Sequence, residues 1–90
     1  MEQFKPKYEH LEAVKFTGTD INIQEIKNLL GDRFIEYDDQ GNEDTLIEFW
    51  KDKDNGYTLF LWLNNYLLPF DNKFLVITED VFEELFIKTN

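Results

Sequence analysis

The amino-acid sequence predicts one small α+β domain, residues 1–90, in which a mostly antiparallel β-sheet packs against two short α-helices. Ninety residues support one hydrophobic core and leave no volume for a second. Two segments with helix-capping residues and helical spacing flank several short strand-like segments that are separated by turn residues. Hydrophobic residues make up 42% of the chain and aromatic residues 17%, so the chain can bury enough apolar surface to fold.

The first half of the chain predicts a strand followed by a helix. The strand covers about Leu11 to Phe16 and is ended by Gly18. Asn22 is the predicted helix N-cap, because Glu25 stands three residues later and completes a capping box. Ile21 is expected to pack on Ile26 as a hydrophobic staple. The apolar face of this helix consists of Ile23, Ile26, Leu29 and Leu30, and Gly31 is the expected C-terminal cap.

The middle of the chain predicts two β-hairpins. Phe34 to Tyr37 and Thr45 to Trp50 are strand candidates, separated by the acidic turn Asp38 to Asp44. A second turn covers Lys51 to Gly56, where Asn55 and Gly56 are both expected to adopt positive φ.

The strand candidate Tyr57 to Leu63 has apolar residues on both faces, which predicts a central strand covered on two sides. Asn64 and Asn65 then predict a turn. Tyr66 to Phe70 contains Pro69, which lacks a backbone donor and therefore favours a sheet edge or a strand end.

The last third of the chain predicts one more strand and the closing helix. Asp71 and Asn72 form a turn before the strand Phe74 to Ile77, and Thr78 is the expected cap of the helix. The apolar face of the closing helix consists of Val81, Phe82, Leu85 and Phe86.

The residue types argue against catalysis and against a cofactor. The chain has no serine and no cysteine, which removes the common hydroxyl and thiol nucleophiles. His10 is the sole histidine and stands beside a strand start, where a surface role is the usual one. The four glycines are scattered singly, so phosphate-binding loops and dinucleotide fingerprints are missing. We therefore expect a protein that is not an enzyme and binds no cofactor.

The charge composition restricts the partners. Nine Lys and Arg residues stand against 19 Asp and Glu residues, a net charge of -10. This charge repels nucleic acid and anionic membranes, so we expect direct binding to neither and expect any charged partner to be basic. The chain also lacks an apolar run of membrane-spanning length or a signal-peptide core, which predicts a cytoplasmic protein.

Asp52 and Asp54 imitate the opening of a calcium-binding loop. The imitation fails because position six from Asp52 is Tyr57 instead of glycine and position twelve is Leu63 instead of glutamate. We expect no metal site there and interpret both acidic turns as solvated hairpin tips.

An acidic cluster is the first feature that exceeds what folding requires. Its members lie within nineteen residues that are expected to form neighbouring hairpins on one side of the sheet: Glu36, Asp38, Asp39, Glu43, Asp44, Glu48, Asp52 and Asp54. One interpretation is solubility, since charge runs are usually solvated faces. The other is a decoy, in which carboxylates occupy the basic groove that a partner keeps for nucleic-acid phosphates.

Aromatic residues around this cluster are the second feature: Trp50, Tyr57, Phe60, Trp62, Tyr66 and Phe70. The default interpretation places most of them in the core. Exposed members, of which Trp50 and Tyr57 are the candidates, would act as anchors of a protein interface. Two alternatives remain open: an assembly module that dimerises through an aromatic sheet face, and a domain that binds a small ligand or cation in a pocket between sheet and helix.

Four segments resemble a group of small proteins encoded by phages and prophages of Gram-positive bacteria. They are LEAVKFTG (Leu11 to Gly18), NLLGD (Asn28 to Asp32), NNYLL (Asn64 to Leu68) and FLVITEDVFEELF (Phe74 to Phe86). The resemblance runs through the chain in order. This chain differs from the group in its long acidic hairpin region, Asp38 to Asp54, and in the Asn64-Asn65 turn, where relatives often have Gly-Asp.

The resemblance implies a setting and assigns no catalytic or binding residue. Small acidic phage proteins that resemble no enzyme often block a host factor such as a CRISPR effector, a nuclease or a repressor. We therefore expect a phage-type protein in the bacterial cytoplasm that acts as an anti-defence inhibitor, in the manner of a DNA mimic, by binding a host protein with a basic surface.

Overall fold

The computed structural model describes residues 12–85. These residues form two helices and two three-stranded antiparallel sheets, which confirms the α+β fold class. The elements in chain order are β1 (Val14–Lys15), α1 (Asp20–Leu30), a single 3-10 turn (Gly31–Arg33), β2 (Phe34–Asp38), β3 (Leu46–Asp52), β4 (Tyr57–Trp62), β5 (Tyr66–Phe70), β6 (Lys73–Ile77) and α2 (Glu79–Leu85). Three residues used in the predictions, His10, Leu11 and Phe86, lie outside the described part of the chain.

The strands form two sheets instead of the single sheet that we predicted. One has the order β1-β5-β6 and the other the order β2-β3-β4. Of the two alternatives for Pro69, the sheet edge is wrong, because β5 is the central strand of the first sheet, whereas the strand end agrees with the structure, because Pro69 is the next-to-last residue of β5. The two-residue β1 pairs only with Tyr66 and Leu67, so Pro69 lies beyond the reach of β1 and pairs with Phe74 alone.

The start of α1 differs from the prediction. Thr19 is the N-cap, with backbone φ of -74° and ψ of 156°, and its hydroxyl accepts the backbone N–H of Asn22 at 3.2 Å. The predicted box of Asn22 and Glu25 is therefore wrong by three residues, and Ile21 is 83% exposed instead of packing on Ile26. A threonine has the same capping chemistry as an asparagine, so residue type alone did not decide between them.

Asn22 has a different role, because its side chain holds the chain that leads into the helix. Its Oδ1 accepts the backbone N–H groups of Thr17 and Gly18 at 2.8 and 3.3 Å, and its Nδ2 donates to the carbonyl of Lys15 at 2.7 Å. The other end of α1 follows the prediction, since Gly31 has φ of 58° and its N–H donates to the Lys27 carbonyl.

The core lies where α1 packs against the inner faces of both sheets. The helix contributes Ile23, Ile26 and Leu30, and the remaining buried members are Phe16, Ile47, Phe49, Leu61 and Leu67. Burying side chains of this size contributes about 1.5 to 3 kcal/mol each to the free energy of unfolding. Because α1 packs on the inner faces of the two sheets, it cannot cover their outer faces. Those faces are covered by other elements or remain exposed.

The strand β4 is not the central, two-side-covered strand that its apolar faces predicted. It pairs with β3 and forms an edge of the second sheet, and Phe60 and Trp62 on its outer side remain exposed. The turn before it also differs, because Gly56 has φ of 74° whereas Asn55 does not have positive φ.

The helix α2 covers part of the outer face of the β1-β5-β6 sheet. Thr78 caps it as predicted, accepting the N–H of Val81 at 3.4 Å. The ring of Phe82 stacks on Tyr66 with centroids 3.8 Å apart, and Tyr66 is only 7% exposed. We call β1-β5-β6 the covered sheet and β2-β3-β4 the open sheet.

One side chain bridges the two sheets at their ends. The guanidinium of Arg33 donates to the carbonyl of Lys51 at 3.2 Å, in the open sheet, and to the carbonyl of Asn72 at 2.9 Å, in the turn of the covered sheet. It also lies 5.5 Å from the centre of the Phe74 ring.

Candidate protein-binding surface

The open sheet has an outer face that neither described helix covers. In β3, Ile47 and Phe49 point to the core, so the alternation of strand side chains turns Leu46, Glu48 and Trp50 outward. The same alternation in β4 turns Thr58, Phe60 and Trp62 outward, and the register joins these residues into rows. We call this surface the open face; it consists of Glu36, Asp38, Leu46, Glu48, Trp50, Thr58, Phe60 and Trp62.

Aromatic rings form one half of the open face. Phe60 is 45% exposed and Trp62 is 39% exposed, and their ring centroids are 6.1 Å apart with an interplanar angle of 59°. Trp50 is half-buried and pairs across the strands with Thr58. Both tryptophans of the chain therefore belong to this one face. Exposed aromatic side chains on a flat sheet are typical anchors of protein interfaces.

Carboxylates form the other half. The register places Glu36 directly opposite Glu48, and Glu48 is in turn opposite Phe60. Like charges opposite each other on neighbouring strands reduce the stability of a sheet. Within residues 12–85, the side chain of neither glutamate has an ion-pair or hydrogen-bond partner. The fold thus retains an unfavourable charge pair beside exposed rings.

The covered sheet contains the same ingredients together with a cation. Lys15 lies in β1, and its Nζ is 2.7 Å from a carboxylate oxygen of Glu79 and 5.8 Å from the centre of the Tyr66 ring. The hydrogen bond to Glu79 raises the pKa of Lys15 above its ordinary value. Ring, cation and carboxylate are all present there, whereas no residue of the open face is a lysine or an arginine.

The loop between β2 and β3 adds Asp39, Glu43 and Asp44 beside Asp38, the last residue of β2, at one end of the open sheet. Asp38 and Asp39 partly serve the loop itself, because Asp38 accepts the side-chain N–H of Gln40 at 2.7 Å and Asp39 accepts the N–H of Gly41 at 2.8 Å. Glu43 and Asp44 are exposed, and within the described chain no hydrogen bond of their carboxylates is recorded. These last two side chains are available to a partner.

The loop between β3 and β4 lies at the other end of the sheet. Hydrogen bonds from the side chain and backbone of Asn55, at 2.6 and 3.2 Å, hold the pKa of Asp52 below its ordinary value. Because β3 separates the two loops by seven residues, Asp52 and Asp54 are about 23 Å from the first loop at ~3.3 Å per residue. The two hairpin tips therefore lie at opposite ends of the open sheet, so Asp52 and Asp54 do not join the other acidic residues in one compact cluster.

The two ends also differ in charge. From Phe34 to Trp50 the chain has six carboxylates and no lysine or arginine. Around the β3–β4 loop, by contrast, basic side chains line a groove of about 520 Å³. Its basic residues are Arg33, Lys51, Lys53 and Lys73, and its acidic residues are Asp32, Asp52 and Asp54. The open sheet is therefore strongly acidic at one end and mixed at the other.

The aromatic residues are mostly not core, contrary to the default interpretation. Of the six, Tyr66 is the buried one, and Trp50 and Phe70 are half-buried. Tyr57 is 64% exposed and shares the core-facing side of β4 with Leu59 and Leu61, beyond the end of the core. Trp50 and Tyr57, which we predicted as joint anchors, therefore project from opposite sides of the open sheet.

Two arrangements were not predicted from the sequence. They are the facing pair of Glu36 and Glu48 and the contact between Lys15 and Glu79. The first depends on a strand register that includes a bulge between Phe34 and Glu36. The second joins residues 64 positions apart. No local sequence signal identifies either arrangement, because both arise from the pairing of strands.

No group of three or more metal-binding side chains occurs within residues 12–85. Neither described helix, of 11 and 7 residues, is long and apolar enough to cross a membrane. Comparison with known proteins found no matching family model, no matching curated protein and no matching solved structure.

Proposed function

We propose that this chain is a non-enzymatic protein-binding module, and that its acidic hairpin binds a host nucleic-acid-binding or defence protein in place of nucleic acid. The observation that carries the proposal is the charge of the segment from Phe34 to Trp50, which covers β2, the acidic loop and most of β3 and has six carboxylates and no lysine or arginine. Carboxylates held on an ordered hairpin present a negative surface to a basic groove that otherwise receives phosphates. The phage setting comes from the resemblance of the four sequence segments.

Several features support rigid presentation of the acidic loop. Hydrogen bonds from Gly41 to Asp39 and from Gln40 to Thr45, at 2.8 and 3.1 Å, fix its backbone. The N–H of Asp44 donates to the side chain of Asn42 at 2.8 Å. A preordered loop loses less conformational entropy on binding than a disordered one.

The alternative of a homodimer formed through the open face is less favourable on electrostatic grounds. Two copies in contact would bring Glu36 and Glu48 of one chain against the same residues of the other. The net charge of -10 on each copy adds to this repulsion. A basic partner relieves both effects.

The test is a pull-down from a bacterial lysate with the wild-type chain, followed by a binding measurement with the recovered partner. Replacing Asp38, Asp39, Glu43 and Asp44 by lysine should abolish binding, and raising the salt concentration should weaken wild-type binding. Because Asp38 and Asp39 also hold the loop, the double variant Glu43→Lys/Asp44→Lys tests the charge without removing those hydrogen bonds.

A matched control reverses four exposed carboxylates outside the open sheet: Glu12, Glu25, Glu83 and Glu84. This variant has the same net charge as the first and should retain the partner. Recovery of the same partner by the loop variant, or wild-type binding that does not respond to salt, would contradict the proposal. Displacement of nucleic acid from the partner by the wild-type chain is the expected consequence for inhibition.

A further inference from the structure

We infer that the open face is a docking site for an arginine-bearing segment of a partner protein, an inference that rests on the proposed function and specifies its chemistry. The residues of the docking site are Glu36, Glu48, Trp50, Phe60 and Trp62. These side chains bind arginine between aromatic rings and carboxylates, so the partner supplies the cation that the open face lacks.

On the covered sheet, a cation of the chain itself contacts both an aromatic ring and a carboxylate. Lys15 lies over the Tyr66 ring at 5.8 Å while its ammonium contacts Glu79 at 2.7 Å. A cation in this position is attracted by the ring and by the carboxylate at once. The open face offers the same two kinds of group, in neighbouring cross-strand positions, at Glu48 and Phe60.

Several cations within residues 12–85 have contacts elsewhere in the fold. Lys27 lies over the Phe34 ring at 5.0 Å and Arg33 lies over the Phe74 ring at 5.5 Å. Lys53 is 3.8 Å from Asp32. Within residues 12–85, no ion pair reaches Glu36 or Glu48. The charge of this face is therefore complementary to a cationic segment and opposed to a second copy of this chain.

Arginine suits the face better than lysine does. Its planar guanidinium stacks on an aromatic ring and still presents N–H donors at its edge to a carboxylate. Two glutamates opposite each other accept from one guanidinium or from two that lie side by side. A lysine ammonium is a compact charge that has no plane to stack.

The two tryptophans provide a built-in measurement, because Trp50 and Trp62 both belong to the open face. The experiment titrates the full chain with a twelve-residue peptide that contains four arginines, and with the same peptide in which every arginine is replaced by lysine. Tryptophan fluorescence reports docking, and calorimetry gives the dissociation constants. We expect the arginine peptide to bind about tenfold more tightly and to change the fluorescence, since stacking favours arginine at several rings.

Three variants assign the effect to the face. Phe60→Thr should reduce the affinity for the arginine peptide to that for the lysine peptide, and Phe60→Leu should do the same because leucine is apolar but has no π-system. Tyr57→Thr is the matched control, since this exposed aromatic residue of the same strand lies on the other side of the sheet. It should leave both affinities unchanged.

The outcomes separate the inference from the proposed function. Equal, salt-sensitive binding of both peptides, with Phe60→Thr behaving as wild type, overturns arginine docking and leaves the electrostatic function standing. A lack of binding to either peptide counts against both. A dimer in sedimentation that Phe60→Thr converts to a monomer identifies a second copy as the occupant and overturns the inference.

Discussion

The two sheets of this protein are alike in strand number and in antiparallel pairing and differ in what lies on their outer faces. Each has three antiparallel strands and contributes its inner face to one core around α1. On the covered sheet, α2 places Phe82 on Tyr66, and Lys15 joins Glu79. The open sheet has comparable rings and carboxylates, and no element within residues 12–85 covers its outer face. An apolar strand face therefore indicates that something packs on it, but it does not reveal whether the packing group belongs to the same chain or to another molecule.

Removal of a large side chain should have the largest effect on the covered sheet. Tyr66→Ala deletes a buried ring and its stacking on Phe82, so we expect it to lower the free energy of unfolding by about 3 kcal/mol. Phe60→Ala on the open face should lower it by about 1 kcal/mol or less, because much of that ring is already in water. Urea unfolding followed by circular dichroism measures both. Equal losses would mean that the two outer faces are covered to the same extent.

Loss of the cation should make the covered sheet resemble the open one. Lys15→Gln removes the contact with Glu79 and the attraction to the Tyr66 ring. We expect a loss of about 0.5 to 1 kcal/mol at neutral pH, discounted for the solvent exposure of both partners. The pKa of Lys15 is raised, so this stabilisation is complete below its ordinary value and disappears as the pH rises through the raised value. A difference between variant and wild type that persists at high pH would rule out an ionic origin.

Addition of a cation should make the open sheet resemble the covered one. Glu36→Arg replaces a like-charge cross-strand pair with an opposite-charge pair, and we expect a gain of about 0.5 kcal/mol in the free energy of unfolding. The same variant should weaken binding of the arginine peptide, because the site then has its own guanidinium. As a control, Glu25→Arg on the exposed side of α1 changes the net charge equally. Equal stabilisation by the control would trace the effect to net charge alone.

The smallest effect concerns the mixed end of the open sheet. Asn55 lowers the pKa of Asp52, so this carboxylate stabilises the β3–β4 turn above its ordinary pKa and the contribution is lost as the pH falls through the lowered value. In Asn55→Ala, the pKa of Asp52 should return toward its ordinary value. Titration of the side-chain carboxyl carbon by NMR measures the change, and Asp54 is the neighbouring reference. An unaltered pKa in the variant would show that another group lowers it.

The elements of the fold were predictable where local chemistry decides them. Gly31 ends α1 and Thr78 caps α2 because each signal acts within a few residues of chain. The N-cap was misplaced because Thr19 and Asn22 have equivalent capping chemistry, and the side chain of Asn22 instead bonds to the backbone of Lys15 and Thr17 in the segment before the helix. The predicted position of β4 was wrong. Apolar residues such as Phe60 and Trp62 are usually buried, but no described element packs on them.

The candidate surface was predictable in composition and not in arrangement. The acidic residues and Trp50 stand out in the sequence, but the facing of Glu36 and Glu48 requires the register. The separation of the two acidic loops follows from the antiparallel course of β3, which sends successive turns to opposite ends. The spacing of residues along the chain reveals neither the facing of Glu36 and Glu48 nor the separation of the two loops.

The bridge made by Arg33 has a consequence for how the length of this chain can vary. Its guanidinium needs the carbonyls of Lys51 and Asn72 at fixed positions, so an insertion in the β3–β4 turn or the β5–β6 turn would separate at least one acceptor from it. The β2–β3 loop is held by hydrogen bonds between its own residues, and Arg33 does not bond to it. Insertions should therefore be tolerated at the acidic tip and rejected at the opposite end of the molecule.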